Sequence, residues 1–387
     1  MTAAMFRVTA LTVLVSAVTA QRAVWIVDPA NGPGANFTNL QQAADSASVS
    51  PGDVLQLLPG FLGPLQTSKP LVLLGSAQST LGHVSLSAIP AGSEFVIDGC
   101  RVDFQLGYLA FIEAWSCPGR VVIARLAYSA SLPFPQDTML LVVGAADCDD
   151  LELEGITPLG LNVLMARCKA TVRNCTFREH YVNPPISGFD ALVAHQCELE
   201  VVDCYLQGSN GGLSTGIGLR VVDGTVRVRA TAVGTAVIRG GPIGSGNFGT
   251  ALSIIRTQVE IDPQVSVGTV INQGGTLTTR SLPAVSASWS GGTATASVFA
   301  DPGSVALVGF GFAQAPGAYA AGAALRLDLQ FGIAGLALAV LPASRMLTTT
   351  ASLPNATAFL GARFAAQGAT LVLGQVELAN AAALVVR

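Results

Sequence analysis

The chain has 387 residues, of which 50% are hydrophobic and 11% charged, and its formal net charge is −4. That length allows two domains with a large core, and the absence of any basic block or basic helix argues against a nucleic-acid partner. The mean hydropathy of +0.54 raises the idea of a membrane bundle, but that needs apolar runs of about 18 residues or more, and only two segments come near.

The first, Val8 to Val18, is too short to span. Arg7 precedes it and Val18-Thr19-Ala20 follows, so residues 1–20 read as a secretory signal peptide cleaved near Ala20. The mature chain would begin near Gln21 and be secreted, periplasmic or at the cell surface. The second, Ala318 to Leu341, carries Arg326 and Asp328. Its centre, Leu325 to Phe331, alternates with period two, which predicts a strand with one wet face and no membrane span.

After the leader, "VDPANGPGANFTNLQQAADSASVSPGDVLQLLPG" (27–60) contains a strand end, a turn, a short helix and a second strand. Thr38 with Gln41 three later predicts a capping box. Phe37, Leu40, Ala43, Ala44 and Ala47 form one apolar stripe.

The middle of the chain repeats. "VLMARCKATVRNCTF", "LVAHQCELEVVDCYL", "LRVVDGTVRVRATAV" and "LSIIRTQVEIDPQV" align on Val163, Leu192, Leu219 and Leu252, then on Cys168, Cys197, Gly224 and Thr257. "LLVVGAADCDDLELEGI" joins with one extra residue, placing Leu151 and Leu153 in the same columns. The offsets of 29, 27 and 33 residues (168 to 197 to 224 to 257) lie in the range of stacked repeats. Each unit reads as a pair of short alternating strands, which leaves a β-solenoid.

The positions between the apolar ones should face outward. They run Asp150, Lys169, Glu198, Thr225, Gln258; then Glu152, Thr171, Glu200, Arg227, Glu260; then Glu154, Arg173, Val202, Arg229, Asp262. Neighbouring charges mostly differ in sign or are separated by a neutral residue, as a ladder with strands roughly 4.8 Å apart requires.

The chain has seven cysteines, an odd number, so at least one thiol is left over in any disulfide scheme. Cys168 and Cys197 share one column, Cys175 and Cys204 another. They read as small apolar stacks of free or mixed thiols, or as one or two inter-coil disulfides. No CxxC pair or ordered histidine accompanies them, so no metal site is expected.

The stretch 27–60 resembles the N-terminal cap of right-handed parallel β-helix proteins, the pectate-lyase-like superfamily. Val27-Asp28, the Gly/Asn turn, Phe37-Thr38, Ala43-Ala44, Pro51-Gly52-Asp53 and Leu58-Pro59-Gly60 carry the likeness. Phe61 stands where such families usually have a tyrosine. "SKPLVLLG" (68–75) looks like the next coil. A solenoid end exposes core and strand edges, so the short helix suits a lid.

From about Ser281 the coil pattern stops. "ATASVFA", "SVALVGFG", "LRLDLQF", "ATLVLG" and "ALVVR", split by Gly/Pro turns, predict a small β-sandwich. "LPNATAFLGARFAAQGATL" and "LANAAALVV" resemble a C-terminal domain on secreted proteins of planctomycete-type bacteria. An outer-membrane barrel would leave almost nothing for turns, and the chain ends in Val-Val-Arg, without a terminal aromatic. The expected fold is therefore all-β: a right-handed parallel β-helix (solenoid) with N-terminal capping helix over 21–280 (cap 21–60), then a small β-sandwich over 281–387.

The β-helix resemblance implies polysaccharide lyases and glycoside hydrolases among the possible relatives. Hydrolysis needs two carboxyl groups across a sugar; a lyase needs a base beside a metal-bound acid group, the one setting in which calcium would enter. The residues available are Asp149 and Asp150 of "DCDD", Lys169 of "RCK", and Arg178, Glu179 and His180 of "REHY". The chain lacks the Gly-His-Gly of polygalacturonase-like enzymes and the Arg-x-Pro of pectate lyases, and "RCK" precedes His195, the wrong order. The excursion Phe177 to Asp190 holds Arg178, His180, Tyr181 and Phe189. A second excursion, Ser131 to Met139, holds Phe134. Long loops on rigid scaffolds concentrate binding residues, and if both emerge at one corner they would line one groove. The expectation is a non-catalytic protein that binds polysaccharide or cell-surface glycan, or serves as a surface module, without a cofactor. The alternative is a lyase or hydrolase at the loop face.

Overall fold

The computed structural model describes residues 22–103, 110–129, 141–157, 162–178, 188–210, 214–243, 247–290, 292–313, 319–320, 323–324, 333–352, 360–372 and 374–386. Among them the protein is all-β apart from one six-residue helix, Leu40–Asp45. It divides into two compact units, one spanning Arg22–Thr279 and the other including Arg280–Arg387.

The first unit is built on a parallel sheet of 18 strands. Its pairings resolve into two ladders that share the long strands Ala110–Ala124 and Leu141–Glu154. The first ladder runs through Leu65–Thr67, Val84–Ser87, Asn162–Ala166, Leu192–His195, Leu219–Val222, Thr250–Ile255 and Thr269–Gln273. The second runs from Val24–Val27 through Val72–Leu74, Lys169–Arg173, Glu198–Val202 and Thr225–Arg229 to Thr276–Thr279. Two four-stranded parallel sheets supply a third ladder: Gly60–Phe61, Ser79–Leu81, Arg101–Asp103, Ala127–Ser129, and then Thr176–Phe177, Tyr205–Gln207, Val237–Arg239, Ser266–Val267. In sequence the chain visits first, second and third ladder in turn, lap after lap. The repeat therefore holds three strands, not the pair read from the sequence. The third is only two or three residues long, too short for alternation to reveal.

The expected lateral register is observed. Val163, Leu192, Leu219 and Leu252 are successive partners, as are Ala170, Leu199, Val226 and Val259. The inward column of the second ladder extends further back than the repeat revealed: Leu55, Leu73, Ile97, Ile123, Leu153, Val172, Val201, Val228 and Ile261 stack in order, all buried. Each such side chain contributes roughly 1.5–3 kcal/mol when fully buried, so the unit's cohesion is spread along its length.

Two corners of each lap are tight. Between first and second ladders, Ser116, Asp147, Arg167, Gln196, Asp223 and Arg256 all adopt left-handed φ values of 48–56°. That region is unfavourable for residues with a Cβ; here it turns the strand within two residues and aims the next side chain inward.

The outward columns pair by charge. Glu94, Arg120 and Asp150 are successive partners, and Lys169 lies opposite Glu198. Arg120 is buried and its Nε donates to Asp150 Oδ2 at 2.9 Å. Arg227 reaches Glu260 at 3.0 Å and Glu200 at 4.0 Å. The third column departs from expectation: Arg173, Val202, Arg229 and Asp262 are buried rather than outward-exposed. Arg229 folds back to Glu200 in the adjacent column at 3.2 Å, laying its stem along the sheet.

At the N-terminal end, Asn39, not Thr38, caps the helix: its side-chain oxygen accepts from Gln41 N and Gln42 N at 2.8 and 3.2 Å. Leu40, Ala43 and Ala44 are buried as the stripe requires, whereas Ala47 is exposed because the helix stops at Asp45 and Val49 takes the inward place. The Gln41 side-chain amide pairs with both backbone groups of Gln66 at 2.7 and 3.0 Å, covering a strand edge as another strand would.

Among the described residues the second unit has two larger antiparallel sheets and a two-stranded one, Tyr319–Ala320 with Ala323–Ala324. One orders Ala284–Ser290, Thr293–Phe299 and Met346–Ser352; the other orders Ile333–Val340, Val305–Phe312, Arg363–Val372 and Gln375–Val385. Both contribute to one core, in which Phe310 stacks on Phe364 at 5.6 Å. Asn380 exchanges hydrogen bonds with the backbone N–H and C=O of Val285 at 2.8 and 3.1 Å, tying the sheets together. The strand expected at Leu325 to Phe331 lies outside the described residues.

Candidate functional site

The third corner, from third ladder to next first ladder, is unlike the other two. At this corner the described strands Arg101–Asp103, Ala127–Ser129, Thr176–Phe177, Tyr205–Gln207 and Val237–Arg239 are each followed by a connection to the next first-ladder strand. The excursion Ser131 to Met139 and residues 179–187 of the other excursion lie outside the described residues.

Two of these connections have described bases. Asn210 and Thr215 form an antiparallel bridge, and Pro242–Ile243 pairs with Asn247–Phe248. Their bases stack through backbone: Ser209 N donates to Phe189 O at 2.9 Å, Gly216 N to Ser209 O at 2.8 Å, Gly241 N to Gly216 O at 2.8 Å, and Gly249 N to Gly241 O at 2.8 Å. A Cβ on Gly216 would stand 1.9 Å from Phe189 O, and one on Gly241 2.0 Å from Ser209 O. Only glycine permits this approach. Asp190 anchors the same base, accepting Ile217 N at 2.7 Å and the Arg220 Nε.

The adjoining outer face of the third ladder carries two arginines on two rings. Arg178 lies 4.7 Å above the Tyr205 ring and Arg239 5.5 Å above Phe248, itself 42% exposed. Gln207 lies opposite Arg239 and accepts the Tyr205 hydroxyl hydrogen at 2.8 Å. Arg178 is one residue past Phe177, the neighbour of Leu206, so Arg178, Gln207 and Arg239 form one outward column.

Eight other arginines of this unit go to carboxylates: Arg120, Arg125, Arg167, Arg173, Arg220, Arg227, Arg229 and Arg256. Arg178 and Arg239 have no carboxylate partner among the described residues. The strands Thr176–Phe177, Tyr205–Gln207, Val237–Arg239 and Ser266–Val267 contain no acid. A guanidinium held flat on a ring keeps its N–H edges directed sideways, where they can meet an anionic group in two-point fashion.

The residues named for catalysis are placed as follows. Asp150 is on the second ladder, engaged by Arg120, with Lys169 as its lateral neighbour. Asp149 is exposed beside the irregularity in register between Cys117 and Arg120. Asp147 stands at the tight corner and takes both ends of the Arg167 guanidinium, at 2.6 and 2.8 Å, which holds its carboxyl below the usual range. Arg178 is on a different ladder from Asp150 and Lys169. Glu179, His180, Tyr181 and Phe134 lie outside the described residues. Phe189 is half-buried at the glycine base, its N–H bonded to the Ser209 hydroxyl. Among the described residues no cluster of three His, Cys, Asp or Glu side chains is placed to hold a metal.

Tyr205, Gln207, Arg239 and Phe248 were not found from the sequence. The signal that could have found part of this set is the short third strand: "TFR" and "YLQ" each begin two residues after the left-handed corner residues Asn174 and Asp203, with the outer residues polar or aromatic. No protein-family model matches this chain, and no curated protein matches its sequence.

Proposed function

We propose that Arg22–Thr279 is a right-handed parallel β-helix, lidded by the helix Leu40–Asp45 and exported after loss of residues 1–20, that binds an extracellular polysaccharide without turning it over. The observation carrying this reading is the Arg178–Tyr205 and Arg239–Phe248 pairs, beside strands that hold no acid among the described residues. The two arginines are two ladder steps apart, roughly 10 Å at the usual strand spacing. That repeat suits a polymer bearing an anionic group on alternate sugars, such as a uronic-acid or sulfated chain, with the exposed Phe248 edge available to a sugar face. Arg178 and Phe189, with Phe134, His180 and Tyr181 as the sequence suggests, complete the candidate binding set. The unit with Arg280–Arg387 serves in this reading as an accessory module.

Affinity electrophoresis of the mature chain through gels containing acidic or neutral polysaccharides tests it. Retardation by an acidic polymer, weakened at least tenfold in an Arg178→Ala/Arg239→Ala variant and by raised salt, is expected. Equal migration in every gel removes the carbohydrate reading and leaves a structural surface module. Release of unsaturated uronic products would instead support a lyase.

A further inference from the structure

The seven cysteines are all buried, and they are not distributed evenly. At the corner between first and second ladders, Cys117, Cys148, Cys168 and Cys197 occupy the same inward place on four successive laps. Cys117 and Cys148 are register partners, and Cys168 N–H points at Cys197 Sγ at 3.4 Å. At the corner between second and third ladders Cys175 and Cys204 are neighbours, Tyr205 N bonding Cys175 O at 2.9 Å. Cys100 shares that second column, but Leu126 and Ile156 stand between it and Cys175.

The corner does not demand sulfur. Cys168 and Cys197 each donate to the carbonyl two residues back at 3.2 Å, but Thr257 makes the same bond at 2.8 Å and Gly224 makes none. Leu126 and Ile156 fill the second corner. Six of the seven cysteines nonetheless have a cysteine on an adjacent lap.

We propose that Cys117–Cys148, Cys168–Cys197 and Cys175–Cys204 are sites of oxidation to three disulfides that staple successive laps, with Cys100 the remaining thiol. The proposal takes its oxidising compartment from the export reading. Laps spaced by about 4.8 Å fall inside the roughly 4.4–6.8 Å range of Cα separations for a disulfide. In the ladder of four, thiol hydrogen bonds from Cys148 and Cys197 hold Cys168 below the usual thiol range, while Cys148 is pushed up by its hydrogen bonds to Cys117 and Cys168 and Cys197 by its bond to Cys168. In each pair one thiol, once ionised, begins exchange. It attacks an external disulfide and displaces one thiolate; its partner, losing its proton to solvent, then attacks the mixed disulfide and displaces the second. Two protein thiols are oxidised while one external disulfide is reduced to two thiols. Because the thiols are buried in the finished unit, exchange accompanies the stacking of the laps.

The test is to unfold and reduce the mature chain, refold it in a glutathione redox buffer, alkylate it in guanidinium and map its peptides. The expected result is alkylation at Cys100 alone, a mass lower by six hydrogens, the three stated linkages, and a Tm that falls on reduction. Seven alkylated cysteines, a Cys148–Cys168 bond, or any bond to Cys100 overturns the proposal. Cys100→Ser should fold and retain all three bonds. Chain isolated from its native cells without refolding should map identically; thiols reduced there but paired after refolding would overturn the oxidising-compartment premise and leave the pairing standing.

Discussion

At the scale of single residues, the decisive contrast is between buried and exposed ion pairs. Arg120 is 1% exposed and lies between Glu94 and Asp150 on neighbouring laps. Arg120→Ala leaves those carboxylates facing each other in a dry layer, and breaking a buried pair this way costs about 3–5 kcal/mol; chemical denaturation should show it as a lower midpoint. Asp147 and Arg167 form a bidentate pair of better geometry, yet both are about half exposed, so Asp147→Asn should shift that midpoint little near neutral pH. Its effect belongs to acid. The folded Asp147 carboxyl titrates below its ordinary value of 3.8 because Arg167 bonds to it. The stabilisation is therefore present above that value and is lost as pH falls through the lowered pKa. An acid titration followed by circular dichroism should find Asp147→Asn less sensitive than the parent below about pH 4; equal sensitivity would show that the pair carries no linkage.

At the scale of elements, the corner connections depend on glycine bases rather than on side-chain packing. Gly216→Ala places a Cβ against Phe189 O, a backbone atom that cannot swing aside. The stack of Phe189, Ser209, Gly216, Gly241 and Gly249 must then open. Overpacking of this kind costs roughly 1–3 kcal/mol, and the larger consequence is displacement of the corner. Under the proposed function the variant should lose polysaccharide retardation while far-ultraviolet circular dichroism keeps its strand signal; full retention of binding would detach the connections from the site. The strands themselves were largely legible. Val163, Leu192, Leu219 and Leu252 could be aligned because alternation and stacking impose the same column on every lap. The third ladder was not, because Thr176–Phe177 and Ser266–Val267 are two residues each and two residues have no period. Arg239 went unseen because its strand, Val237–Arg239, is scarcely longer, and Phe248 because it lies on the connection beyond that strand.

At the scale of the whole molecule, the two units have separate cores, one running from Val27 to Ile261 and the other centred on Phe310 and Phe364. Units of this kind unfold independently unless a large interface couples them. Calorimetry should resolve two transitions. Phe364→Ala, at about 3–5 kcal/mol for a buried aromatic, should lower one of them, and Leu73→Ala the other. A single transition shifted by both substitutions would mean one cooperative body.

The sequence by itself determined the β class, the lateral register of the middle laps and the alternation of charge along them. Each is a consequence of period two combined with a repeat near thirty residues, both of which can be counted along the chain. It also flagged the excursions around Phe134 and Arg178 through their length. Only the tertiary structure decided that the described strands flanking these excursions belong to the third and first ladders, that Arg120 lies buried between Glu94 and Asp150, that Arg173 and Arg229 are covered, and that Cys117 and Cys148 extend the stack of Cys168 and Cys197. These are relations between residues roughly a lap apart through an irregular connection. A bulge between Cys117 and Arg120, or a third strand too short to show a pattern, changes which side chains meet. That outcome follows from how each lap closes on the one before it.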